Sequence, residues 1–341
     1  MFMAGQGRQD RHSAARVVSG GRPDRFDTLK RRYDFHLGEA IRAGLQGSHD
    51  KAAGHSGRAL LISRKLCADA ADPASHTPEL AAALSAHARY GGGVSQAIAM
   101  LTESAGHYAA LAETDPAAYE VPRIDVLTAI ALASDAAGNT RDAIGLLREV
   151  VGMYLKAPAA DQEERDAGLA RARFHLGRCL LATGQRAEGL AETEAGLELA
   201  EDVLERLALI PRGDDPPYPP RAIPRVDDPR GDDTELQPGW LVAAPRYLQL
   251  AAPDWAAAAV RAMTLHAEDG RPARAATAAR TAVLVSGGLA DLGGDLLREV
   301  HSAIAARAAV ITAEAARHAH GCTPAGEAAH APVQYDLGVE G

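Results

Sequence analysis

Apolar residues recur at helical spacing through most of the chain. In 121–137 they fall at Ile124, Leu127, Ile130 and Ala131, and in 141–155 at Ile144, Leu147, Val150 and Val151. Steps of three and four put such residues on one side of a helix. Strand-type alternation is absent from the pattern. Gly138-Asn139 and Gly184-Gln185 are turn signals that separate one helical stretch from the next. A last amphipathic stretch, 289–318, sets Leu296, Val300, Ile304, Ala308 and Ile311 on one face.

The pattern repeats. Gly92, Gly138 and Gly184 are 46 residues apart, and the same step relates Ala97, Ala143 and Gly189, and again Leu84, Ile130 and Leu176. Weaker copies flank them, with Gly47, Ala52 and Ala59 upstream and Gly270, Ala275 and Ala282 downstream. A glycine can take the left-handed backbone that ends a helix. A small residue five positions later lets the second helix cross the first closely. Units of this kind cannot bury their own apolar face, so they stack. The expected fold is all-α, an α-solenoid of antiparallel helix pairs. Pairs one to four occupy 25–210, and a last pair with a C-terminal capping helix occupies 240–318.

These units resemble tetratricopeptide repeats. The residues that carry the resemblance are Leu176-Gly177 in a first helix, Gly184 at its turn, and Ala143 with Val150 in the preceding second helix. Asp72-Pro73 and Asp115-Pro116 resemble the family's closing proline. The family's period is about 34 residues, so the 46-residue step is similar to its extended variant with a lengthened second helix. The usual aromatic positions are mostly Leu, Ala or Arg. The resemblance covers residues 34–287. It implies that first helices line a concave groove that binds a protein or peptide. The inward positions would be Arg89 and Tyr90, then Asp125, Thr128 and Asp135, then Arg171, Phe174 and Arg178. Two guanidiniums flanking an aromatic suit a carboxylate beside an apolar side chain, and the neighbouring acids suit a basic residue. The Lys and Asn of the family's chaperone-tail clamp are missing, so that ligand is not implied.

Composition narrows the choice. Hydrophobic residues make up 47% and aromatics 4%, so the core must be built from Ala, Leu, Val and Ile. With 36 basic and 45 acidic residues the formal net charge is −9, which argues against direct nucleic-acid binding. Cys67, Cys179 and Cys322 lie far apart and form neither a disulfide framework nor a zinc spacing. No apolar run approaches the roughly 18–20 residues of a membrane span, and the start lacks an apolar signal core. A cytoplasmic protein is expected. Residues 1–24 read as a disordered basic arm and 319–341 as a disordered tail. The segment 211–239 reads as an extended linker or insertion, since 211–238 holds eight of the 19 prolines.

No catalytic constellation emerges, and no cofactor or metal is expected. Gly91-Gly92-Gly93 lacks the Lys-Ser/Thr of a phosphate loop. His318, His320 and Cys322 have no fourth ligand nearby, and Arg212-Gly213-Asp214 sits in the linker. Glu194, Glu198, Glu201, Asp202 and Glu205 form an acidic stripe, read as a solvated face or a seat for a basic partner. The leading expectation is a non-catalytic scaffold with a regulatory or assembly role. Alternatives are a biosynthetic accessory protein or enzyme with a pocket under 211–239, motivated by Trp240 beside it, and a ligand-sensing regulator. Homo-oligomerisation stays open.

Overall fold

The computed structural model of the chain describes residues 25–207, 246–291 and 295–319. The basic arm, the proline-rich segment with Trp240, and the tail with His320 and Cys322 lie outside the described residues. Among the described residues there are eleven α-helices and no strand. Four pairs precede the undescribed segment. They are α1 (Arg25–Leu45) with α2 (His49–Asp69), α3 (Thr77–Tyr90) with α4 (Val94–Thr114), α5 (Pro116–Ala136) with α6 (Thr140–Tyr154), and α7 (Gln162–Ala182) with α8 (Arg186–Arg206). The fifth pair is α9 (Arg246–Glu268) with α10 (Pro272–Asp291), and α11 (Asp295–Ala319) closes the stack. Every helix packs against the one before and the one after it. The fold is thus an all-α solenoid of antiparallel pairs with a final capping helix. No described helix is long and apolar enough to cross a membrane.

The turns follow from glycine. Gly47, Gly92, Gly138, Gly184 and Gly270 all have positive φ, between 65° and 115°. At four of them the next residue's N–H reaches back five residues, as Asn139 does to Ser134 O at 2.9 Å and Gln185 to Leu180 O at 2.9 Å. This Schellman closure satisfies carbonyls that a helix end leaves unpaired. Asp115 caps the start of α5 by accepting from the Ala118 N–H at 3.2 Å, and Pro116 takes the first helical position. Asp161 caps α7 in the same way through the Glu164 N–H.

Small residues set the spacing within pairs. Ala52, Ala143 and Ala275, each five residues after a turn glycine, are fully buried. In the fourth pair the matching residue is Gly189, and a Cβ there would come 2.8 Å from Gly177 O. Ile304, Ala308 and Ile311 of α11 are buried in the same cluster as Ala278, Ala282 and Val285 of α10, so the cap covers the last apolar face. The first helices α1 and α3, α5 and α7, and α7 and α9 touch, whereas the second helices α8 and α10 meet only weakly. The side where successive helices approach most closely is the inside of the curve. The first helices therefore line the concave face.

Candidate functional site

Ion pairs link the first helices along this face. Lys30 of α1 meets Glu79 of α3 at 2.7 Å, Arg178 of α7 meets Asp135 of α5 at 2.7 Å, and Arg171 of α7 meets Asp254 of α9 at 2.7 Å. Arg171 is 7% exposed, and its Nε donates to Asp254 Oδ2. His175 Nε2 lies 3.2 Å from the same oxygen but outside hydrogen-bond geometry. Burial lowers the His175 pKa, so the ring is neutral near pH 7. Burial alone would raise Asp254, but the facing His175, Arg171 and Arg89 overturn it and hold the carboxyl well below the usual range. With the ring neutral, Arg171 is the main full charge that Asp254 answers.

Arg89, near the end of α3, meets solvent while protein surrounds it on several sides. That surrounding lowers its guanidinium, with Arg171 adding repulsion and Tyr90, Asp254 and Asp125 drawing the other way. Charges from four successive first helices, α3, α5, α7 and α9, thus act on one another.

Asp125 is held by Tyr154, whose hydroxyl donates to Oδ1 at 2.6 Å. Gly168 makes room for that hydroxyl, since a Cβ there would lie 2.7 Å from it. Burial raises the Asp125 carboxyl; Arg171, the Tyr154 bond and Arg89 pull it back without overturning the rise. Asp125 and Arg171 line a cavity of about 130 Å³ between α5, α7 and α9, together with Glu164, Tyr247 and an apolar wall at Ala167 and Leu250. Burial first, then Asp125 and Asp161, push the Glu164 carboxyl up to about 7. A second cavity, of about 270 Å³, lies between α1, α3 and α5 and is lined by Lys30, Asp34, Glu79 and Tyr119.

The eight residues expected to face a groove divide. Arg89, Arg178, Asp125 and Asp135 lie on the inner face, with Asp135 also accepting from Thr140 Oγ1 at 2.6 Å. Tyr90 lays its ring over Gly44 of α1. Three corrections follow from burial. Phe174 does not reach the groove: it is 4% exposed and its ring rests on Gly196 of α8. Thr128 is 1% exposed and spends its hydroxyl on Ile124 O at 3.0 Å. Arg171 is on the inner side but committed to Asp254 rather than open. The physical reason is helix phase: neighbours pack on several sides of α7, where 13 of 21 residues are buried, so the open arc there is narrower than i, i+3, i+7.

Sequence reasoning missed Tyr154, Glu164, His175, Tyr247, Asp254 and Arg261. One signal was present: Tyr154 follows Gly138 by 16 residues, as Tyr108 follows Gly92. Asp254 had no local signal, because its partner lies 83 residues earlier. The acidic stripe is partly an interhelix contact. Glu194 meets Arg274 at 2.6 Å and His266 at 3.0 Å, and Glu201 accepts from Thr281. Among the described residues no group of three or more His, Cys, Asp or Glu is arranged to hold a metal ion. No protein-family model matches the chain, and no curated protein is significantly similar to it.

Proposed function

We propose that the chain is a tetratricopeptide-like scaffold that binds a protein or peptide segment along its concave face, in a regulatory or assembly role in the cytoplasm. The observation that supports this most is the polarity of that face. Arg89, Arg178 and Arg261 sit in the last three turns of their first helices. Arg261 has no ion pair among the described residues, and burial and then Arg178 lower its guanidinium. Asp125 and Glu164 lie further toward the helix starts, beside the smaller cavity. A strip with Arg89, Arg178 and Arg261 toward one edge, Asp135 paired among them, and Asp125 and Glu164 toward the other suits an oriented segment that carries both charges.

The test is affinity capture from the native organism followed by titration of the recovered partner. Arg178→Ala and Arg261→Ala are compared with Arg148→Ala, which lies on α6 and pairs with Glu188 of α8. Loss of an arginine anchor that the partner covers costs about 2 kcal/mol or more, so the two inner variants should bind roughly thirtyfold more weakly, with the melting temperature changed at most by loss of the half-exposed Arg178–Asp135 pair. Normal binding by both would move the partner to another surface. An accessory protein or enzyme with a pocket under 211–239 is the second reading; it draws on the position of Tyr247, which lines the smaller cavity just after that segment.

A further inference from the structure

We propose that the cavity between α1, α3 and α5 seats a proline of an extended, proline-rich segment supplied by a partner, with a backbone carbonyl of that segment accepting from the Tyr108 hydroxyl.

The repeat shows what this cavity lacks. Tyr108 and Tyr154 each follow a turn glycine by 16 residues, and Glu79 and Asp125 each precede one by 13. In the third pair the two positions meet, since Tyr154 donates to Asp125 at 2.6 Å. In the second pair they do not. Tyr108 is 8% exposed, lines the cavity, and makes no hydrogen bond among the described residues. Two differences within the repeat account for this. Gly168 leaves room for the Tyr154 hydroxyl, but the matching residue is Pro122, whose ring stands in the cavity wall. The Glu79 carboxylate is also taken: Oε1 lies 2.7 Å from Lys30 Nζ, and Oε2 lies 3.8 Å from His76 Nδ1.

The rest of the wall decides what can answer Tyr108. Tyr119 lies beside it, ring centroids 6.5 Å apart, and its hydroxyl likewise has no hydrogen bond among the described residues. Burial raises both phenols, with nearby carboxylates adding to the rise, so both keep their protons and offer donors. Lys30 answers the carboxylates, at 2.7 Å from Glu79 and 3.5 Å from Asp34. Those carboxylates repel an anion, and a second cation finds Glu79 occupied. Tyr33, Leu37, Pro78 and Pro122 supply apolar surface. The fitting occupant is neutral and apolar, and brings acceptors rather than donors. A prolyl residue has a carbonyl and no N–H, whereas any other residue brings an N–H that needs an acceptor of its own. Proline-rich segments are extended before they bind and dock in aromatic-lined grooves. The volume, about 270 Å³, falls just below the roughly 300–1,000 Å³ of a small-molecule pocket and suits one or two residues of a longer chain. The inference rests on the proposed groove, because the cavity opens among the first helices that line it.

The experiment is a fluorescence anisotropy titration of the full chain against labelled hexaproline, with a labelled alternating Ala-Ser hexapeptide as control. Hexaproline should bind in the high micromolar range and the control at least about tenfold more weakly, since its N–H groups go unanswered. Tyr108→Phe removes only the hydroxyl. It should weaken hexaproline by about tenfold, the effect of leaving a carbonyl without its donor, at an unchanged melting temperature. Tyr154→Phe is the counterpart: it should lower the melting temperature, because that hydroxyl is bonded to Asp125, and leave hexaproline binding intact. Absence of hexaproline binding, equal binding of the control, or full binding by Tyr108→Phe would each overturn the assignment. So would a drop in the melting temperature of Tyr108→Phe equal to that of Tyr154→Phe, which would show the hydroxyl bonded within the fold. Deletion of 211–238 should leave the affinity unchanged; a tenfold gain would show the chain's own prolines competing for the cavity and would overturn the assignment to a partner. If a captured partner depends on Arg178 and Arg261 while hexaproline does not bind, the groove stands and this site falls. If hexaproline binds through Tyr108 and no captured partner depends on either arginine, the proline seat stands and the charged strip falls.

Discussion

Arg171 is 7% exposed and keeps its charge there, and Asp254 is the carboxylate that compensates it. Breaking a buried pair by removing one member is costly, because the other charge is left desolvated and alone; about 3–5 kcal/mol is typical. Arg171→Ala should therefore destabilise by roughly that amount, measured by chemical denaturation. The double change Arg171→Met with Asp254→Leu should recover most of it, since apolar replacement of a whole pair is often neutral. If the single variant is as stable as the parent, the pair is not structural and Arg171 is free to serve a partner.

Glu164 makes a second statement at this scale. Its carboxyl is raised from an ordinary value of 4.5 to about 7. Between those values the folded chain holds a proton that the unfolded chain has released, so this group's contribution to stability is full below pH 4.5 and falls as pH rises through 7. Glu164→Gln removes that fall. The variant should match the parent near pH 4 and exceed it by about 1–3 kcal/mol at pH 8. His175, kept neutral by burial, runs the opposite way, so the informative quantity is the difference between variant and parent across pH. A difference that does not grow with pH would place Glu164 in water rather than in the cavity wall.

At the scale of the element, the turn and the crossing are separate devices. Gly184 adopts φ +81° with nothing within 4 Å of where a Cβ would stand, so its constraint is purely one of backbone. Gly189 is the converse: its Cβ would meet the carbonyl of Gly177 at 2.8 Å and the Leu181 side chain. Gly189→Ala should push α7 and α8 apart and cost about 1–3 kcal/mol, read as a lower denaturation midpoint. Ala143 already carries a Cβ at the equivalent position, so the pair α5 and α6 should not tolerate a further methyl either.

These elements were the legible part of the chain. The 46-residue step relates Gly92, Gly138 and Gly184 and the weaker flanking copies place Gly47 and Gly270, because a positive φ and a close crossing each restrict a position to very few residue types. Side-chain direction was far less legible. Phe174 and Arg178 lie four apart on one helix, yet Phe174 is buried at Gly196 and Arg178 reaches Asp135. The angle between them decides core against groove, and sequence spacing fixes that angle only once the neighbouring helix is known. Asp254 and Tyr247 were invisible for a further reason: what they touch comes from helices far away in the sequence.

At the scale of the molecule, the chain leaves the described stack at residue 207 and returns at 246, yet α9 packs directly on α7 and α8. Trp255, 1% exposed, shares one apolar cluster with Phe174, Leu197 and Leu204. The join between the fourth and fifth pairs is made by side chains, not by a short turn. Closing a loop costs entropy only logarithmically, about 0.6 kcal/mol for each doubling of its length. Going from a connection of about four residues to one near forty is roughly three doublings, so about 2 kcal/mol. The length of 208–245 is therefore almost a free variable for this fold. Additions or deletions there change reach and sequence without altering register, whereas one residue gained or lost inside a helix would rotate the part beyond it by about 100° and turn its buried alanines toward water.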